Sequence, residues 1–121
     1  MKQIMVVDDS ATVRQQLRVF LEGRGFGVVE AQDGIGGVTL AQRSAIDLII
    51  VDMNMPMMDG LEMIRQVRQI PAHAKTPIFV LTTDAAMESA QRGKAAGATA
   101  WIVKPYKPDA LLAGIKKVLG A

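Results

Sequence analysis

The chain contains no cysteine, a single histidine (His73), and only one tryptophan, one tyrosine and three phenylalanines among 121 residues. Without cysteine there is neither a disulfide framework of the secreted kind nor a thiolate zinc site. No apolar stretch approaches the length of a membrane span. The first, Ile4-Met5-Val6-Val7, is cut off by Asp8-Asp9, which excludes a signal peptide or N-terminal anchor. Internal repeats, low-complexity segments and long linkers are also missing. What remains is a composition that is 50% hydrophobic at a length suited to one domain. That is enough to build a core without metal or disulfide staples. A soluble, cytoplasmic protein of one domain spanning residues 1–121 is expected.

Neither charge sign dominates, since the formal net charge is +2. The balance is uneven along the chain. Residues 84–121 hold three acids (Asp84, Glu88, Asp109) against six bases (Arg92, Lys94, Lys104, Lys107, Lys116, Lys117). Nucleic-acid binding is set aside, because the lysines are scattered, aromatics are few and no recognition element is present. A solvated basic face or an acidic protein partner fits better.

Apolar periodicity and turn residues divide the chain into alternating strands and helices. After the first strand, Asp9 or Ser10 caps a helix to about Glu22, with Val13, Leu17, Phe20 and Leu21 at helical spacing. Gly23 and Gly25 stop it. Val28–Ala31 forms a second strand, and Asp33 caps a helix to about Ser44. Residues 47–52 read as a strand buried on both faces. A loop over Met53–Asp59 leads to a helix from about Leu61 to Gln69, and Pro71 begins a connection to Pro77. The fourth strand covers residues 78–82, Asp84 caps a helix ending at Gly97, and the fifth strand spans Thr99–Val103. Pro108 opens a last helix with Leu111, Leu112, Ile115, Val118 and Leu119 as its buried stripe. The alternation predicts an α/β fold, a doubly wound parallel sheet covered by helices on both faces.

Four of these strands end in chemically useful residues: Asp8-Asp9, Asp52, Thr82-Thr83 and Lys104-Pro105. In a parallel sheet those endings share the carboxyl edge, where sites form. Asp8, Asp9 and Asp52 gathered there would repel one another, and Mg²⁺ is the natural remedy because it takes oxygen ligands and bridges carboxylates to phosphate. Asp52 is the expected nucleophile for a phosphoryl group, giving an acyl phosphate. Lys104 would pair with one phosphoryl oxygen and the Thr82 hydroxyl with another. Proline after Lys104 permits a cis peptide that would aim the lysine at the site, although trans is the ordinary state.

Four segments carry a family resemblance: Val6-Val7-Asp8-Asp9-Ser10, Val51 to Gly60, Val80-Leu81-Thr82-Thr83 and Trp101-Ile102-Val103-Lys104-Pro105. With them in register, the chain resembles a CheY-like single-domain receiver of bacterial two-component signalling, end to end. The resemblance implies a flavodoxin-like three-layer fold with five strands in the order 2-1-3-4-5 and five helices, an order the handedness rules alone do not supply. It implies phosphorylation of Asp52 by a sensor histidine kinase or its phosphotransfer domain. It also implies Mg²⁺ on Asp9, Asp52 and the Asn54 carbonyl, with Asp8 acting mainly through water. Thr82 and Trp101 become the switch residues, Trp101 standing where tyrosine or phenylalanine is more usual. Asn54 and Asp84 fall at positions that tune the acyl phosphate's lifetime. The implied protein catalyses only its own phosphorylation and dephosphorylation. With no output domain, it signals to a separate partner through the fourth helix, fifth strand and fifth helix, most simply in chemotaxis.

A phosphorelay intermediate or phosphate sink is the alternative, separable only by partner binding. An aspartyl-phosphate phosphatase of the Asp-x-Asp type is disfavoured, because Asn54 occupies the second acidic position. A flavin module is disfavoured by the absence of a Ser/Thr-Gly phosphate loop after the first strand. His73 is expected as polar surface, Arg14 and Arg18 as a solvated face, and the methionines at 53, 55, 57, 58 and 63 as loop packing.

Overall fold

The computed structural model describes residues 1–53 and 59–120. Five parallel strands form one sheet in the order β2-β1-β3-β4-β5: β1 Gln3–Val7, β2 Gly27–Ala31, β3 Leu48–Asp52, β4 Ile78–Thr82 and β5 Ala100–Val103. Between and after them run α1 Ala11–Glu22, α2 Gly34–Arg43, α3 Gly60–Arg68, α4 Met87–Ala96 and α5 Pro108–Leu119. This is the three-layer flavodoxin-like arrangement that the resemblance implied.

Alternation along the central strands builds two cores. Met5, Val7, Ile49, Val51, Ile78 and Val80 point to one face, beneath Val38 and Ala41 of α2 and Met63, Ile64 and Val67 of α3. Ile4, Val6, Leu48, Ile50, Phe79 and Leu81 point to the other, beneath Leu17 and Leu21 of α1 and Leu111 and Ile115 of α5. Successive side chains leave a strand on opposite faces, so a strand covered on both sides must be apolar throughout. The stripe of α5 is narrower than expected. Val118 lies on the solvent side, 38% exposed, because Leu111 and Ile115 already fill the contact with the sheet.

Two helices begin at the caps the sequence predicts, and α3 is capped by Asp59, where only a turn was expected. The side chains of Ser10, Asp33 and Asp59 accept from the backbone N–H of Val13, Gly36 and Glu62 at 3.3, 2.7 and 2.9 Å, which satisfies otherwise orphaned donors. For α4 the expectation needs correction. It starts at Met87 with Ala86 as cap and no capping side chain. Asp84 acts two residues earlier, accepting from the N–H of Ala86 at 2.9 Å and from the Ser89 hydroxyl.

Two further expectations are overturned. His73 is buried, 3% exposed, in a short 3-10 turn at Pro71–His73. Its Nε2 donates to the carbonyl of Ala41 at 2.8 Å, and its Nδ1 pairs with the Thr76 hydroxyl at 2.9 Å. Nor do Arg14 and Arg18 form a free solvated face: Nε of each pairs with Glu30 of β2, at 3.1 and 2.6 Å, although Arg18 stays 35% exposed.

Arg68 ties the loops at the amino edge of the sheet. Its guanidinium donates to the carbonyls of His73 (2.8 Å), Thr76 (2.6 Å) and, twice, Gly97 (3.1 and 2.7 Å). Gly97 ends α4 at φ +118°, a conformation that glycine adopts without steric cost. Replacing Arg68 with Met would strip a charged donor from three carbonyls at once. Urea denaturation of Arg68→Met should show a loss of about 2–4 kcal/mol, and a loss below about 0.5 kcal/mol would contradict the clamp.

The Glu30 pairs carry a pH signature. The Arg18 hydrogen bond, with Arg14 adding, holds the Glu30 carboxyl below its ordinary value of 4.5. A depressed carboxyl stabilises the fold above its unfolded value, and that contribution is lost as pH falls through the folded value. The stability gap between the wild-type chain and Glu30→Gln should be widest above pH 5 and close on acidification, as read by thermal melts from pH 6 to 3.

Candidate functional site

Register brings the strand ends together. Val7 lies opposite Val51 and Ala31, Asp52 opposite Leu81, and Thr82 opposite Val103. The residues that follow β1 and β5, and those that close β3 and β4, therefore meet at one carboxyl edge. Asp8, Asp9 and Asp52 each offer an oxygen there, and the three lie within 4.8 Å of one another. Lys104 Nζ stands 3.5 Å from Asp52 Oδ1, a loose pair with neither side chain fully enclosed. The Lys104–Pro105 peptide is cis.

Each acid sits in a different environment. Asp8 is buried, 3% exposed, and Asp9 is exposed. The Asp52 side chain is 12% exposed. Burial pushes the Asp8 carboxyl above its usual range. The Asp52 and Asp9 charges push the same way, while the Ser10 N–H, donating at 2.8 Å, and Lys104 oppose them. Hard oxygen donors crowded in this way suit a divalent cation of the magnesium type. A cation would remove the repulsion that otherwise favours protonation. Gly60 lets α3 begin close against β3, since a Cβ there would come within 3.1 Å of the Asp52 carbonyl oxygen and Met53 Cα.

Thr82 is buried, 1% exposed, and its hydroxyl accepts from the Asp84 N–H at 3.0 Å. The carbonyl of Asp84 in turn accepts from the Trp101 indole N–H at 3.0 Å. Thr82, the loop after β4 and Trp101 are therefore joined by hydrogen bonds. Trp101 is half-buried, with its ring across Gly93 of α4. Of the residues expected at the site, Asp8, Asp9, Asp52, Thr82 and Lys104 occupy this edge. Trp101 is linked to it through Asp84, and Asn54 lies outside the described residues.

Arg14 was missed. Its Nη1 donates to the Asp8 carbonyl at 2.6 Å, from a side chain only 16% exposed. The available signal was Glu30 near the end of the second strand, an acid within reach of two arginines one helical turn apart.

The receiver domain of response regulators matches residues 4–116. The chain is 42% identical to the chemotaxis protein CheY4 of Vibrio cholerae, with a TM-score of 0.93 over 98% of this chain and 99% of that one. It is 27% identical to the receiver domain of the sensor histidine kinase PA1611 of Pseudomonas aeruginosa, with a TM-score of 0.90 over 99% and 98% of the two chains. That structure holds a magnesium ion in its active-site cleft. The transcriptional regulatory protein ResD of Bacillus subtilis is 36% identical over 117 residues, which are 97% of this chain and 48% of ResD. The chain thus spans half or less of the curated relatives it matches, and only 13% of the gliding motility regulatory protein of Myxococcus xanthus. This chain belongs to the response regulator receiver domains, the regulatory phosphoacceptor modules of two-component signalling.

The contact between Trp101 and α4 is testable alone. A Cβ at Gly93 would lie 2.6 Å from Cε3 and Cζ3 of the indole, so Gly93→Ala must displace the ring. Tryptophan emission should shift to the red, although alanine favours the helix by up to about 1 kcal/mol. An unchanged spectrum would place the ring elsewhere.

Proposed function

We propose that this chain is a phosphorylation-driven switch in which Asp52 accepts a phosphoryl group from a phosphohistidine of a sensor kinase or its phosphotransfer domain. The observation that carries the proposal is the meeting of three carboxylates within 4.8 Å at one sheet edge, with Lys104 at 3.5 Å from Asp52. An Asp52 oxygen attacks phosphorus, the new O–P bond forms as the N–P bond breaks, and the imidazole leaves with a proton. Asp8, Asp9 and Asp52 would hold Mg²⁺, as would the Asn54 carbonyl by resemblance to the family. When bound, the ion supplies charge neutralisation on the transferring group. Lys104 offers the compact cation for a second phosphoryl oxygen.

The signal runs through residues already joined. A phosphoryl oxygen on Asp52 would accept from the Thr82 hydroxyl, whose oxygen now accepts from the Asp84 N–H. Drawing Thr82 toward phosphate alters the loop that also receives the Trp101 indole N–H. Phosphate shifts the balance only by binding one packing of Thr82, Trp101 and α4 better than the other. The readout surface is α4, β5 and α5, which expose Arg92, Lys94, Lys107, Lys116 and Lys117 along with Val103 and Val118. This basic composition suits an acidic protein partner, in keeping with the shortage of aromatics for nucleic acid. Similarity to CheY4 across nearly the whole of both chains supports a chemotaxis-type target. A phosphorelay intermediate or phosphate sink would use the same chemistry, and partner capture separates them.

The mechanism is tested with Mg²⁺ and beryllofluoride as a phosphoryl mimic, following Trp101 fluorescence. A metal-dependent change that disappears in Asp52→Asn is expected. A response that survives the substitution, or needs no metal, sinks the proposal. A partner retained only by the beryllofluoride form identifies the target.

A further inference from the structure

The carbonyl of Asp8 leaves the sheet just where β1 gives way to the acidic turn. The N–H of the same residue donates to the Ala31 carbonyl at 3.1 Å, continuing the β1–β2 pairing beyond Val7. Among the described residues no strand takes up its carbonyl, and the Arg14 guanidinium donates to it at 2.6 Å. Arg14 is itself oriented by Glu30 at 3.1 Å, and Glu30 is placed by strand register opposite Val6. Since a peptide is planar, holding the Asp8 carbonyl fixes the plane from which Asp9 projects. The Asp8 side chain is pinned separately, by the Ser10 N–H at 2.8 Å.

We propose that Arg14, oriented by Glu30, is a positioning residue for the cation site: by gripping the Asp8 carbonyl it holds Asp9 where its carboxylate converges with those of Asp8 and Asp52. The inference rests on the magnesium reading of that site. It makes a prediction of unusual sign. Arg14 is a cation beside an acidic cluster, so through charge alone its removal would tighten Mg²⁺ binding. If its role is to position the turn, removal must weaken binding despite the lost repulsion, as happens when groups supporting a metal's ligands are deleted.

The test is calorimetric Mg²⁺ titration at fixed ionic strength, with thermal melts to confirm folding. The wild-type chain serves as the check on the magnesium reading, and absence of binding there overturns that reading and this inference together. With binding established, Arg14→Met should weaken affinity by about tenfold. Arg14→Lys should fall between, because one ammonium cannot serve Glu30 and the carbonyl with the geometry of a guanidinium fork. Arg18→Met removes the 2.6 Å pair to Glu30 but leaves the Asp8 carbonyl gripped. It should stay within about twofold of wild type. Equal or tighter binding by Arg14→Met, or an equal loss in Arg18→Met, overturns the proposal. Should Arg14→Met not fold, Arg14→Lys decides in its place, and wild-type affinity there is equally adverse.

Discussion

Like charges do not gather willingly, and the oxygens of Asp8, Asp9 and Asp52 lie within 4.8 Å of one another. Their repulsion, sharpened at Asp8 by burial, is the strain around which the carboxyl edge of the sheet is organised. Strand pairing supplies the force that holds them. β1 and β3 are bonded side by side and buried on both faces, so their ends cannot drift apart without unpacking two cores. Lys104 approaches from β5 and the Ser10 N–H from the turn, each offsetting part of the negative charge. Carboxylate oxygens crowded in this way suit a divalent cation, which would relieve their repulsion.

The same edge is linked to the surface through short, directional bonds. Thr82 and Trp101 are each bonded to the backbone of Asp84, one to its N–H and the other to its carbonyl. α4 lacks a capping side chain at its N-cap, but the Ser89 hydroxyl of its first turn donates to the Asp84 carboxylate. At its other end Gly97 is gripped twice by Arg68. Both ends of α4 are therefore tied by side chains, Asp84 at the end near the acids and Arg68 at the other.

Buried polar groups away from the acids serve the scaffold. His73 and Arg68 satisfy carbonyls of segments with no ladder partners, and no buried side-chain polar atom among the described residues lacks a partner. Unpaired, each such carbonyl would cost about 1–3 kcal/mol. The arginines of α1 belong to the same economy of bonds, but the Arg14 contact falls on the turn that carries Asp8 and Asp9, which joins scaffold to site.

The strands were legible in the sequence because their signal is local. Ile4–Val7, Leu48–Val51 and Ile78–Leu81 are apolar at every position, and a strand covered on both faces requires that. Caps at Ser10 and Asp33, and the polar residues ending four strands, were readable for the same reason. The strand order entered through family resemblance, since no local pattern says which strand lies beside which. His73 with Ala41, Arg68 with Gly97 and Arg14 with Glu30 are separated by 32, 29 and 16 residues. Their partners exist only once the chain has folded, so a polar residue at such a position looks like surface until packing brings its acceptor near. Sequence alone determined which segments are strands and which side chains they deliver at their ends. Tertiary structure decided how the acids are held and what grips the ends of α4, because periodicity records burial along one element whereas hydrogen bonds between distant elements depend on where packing sets them.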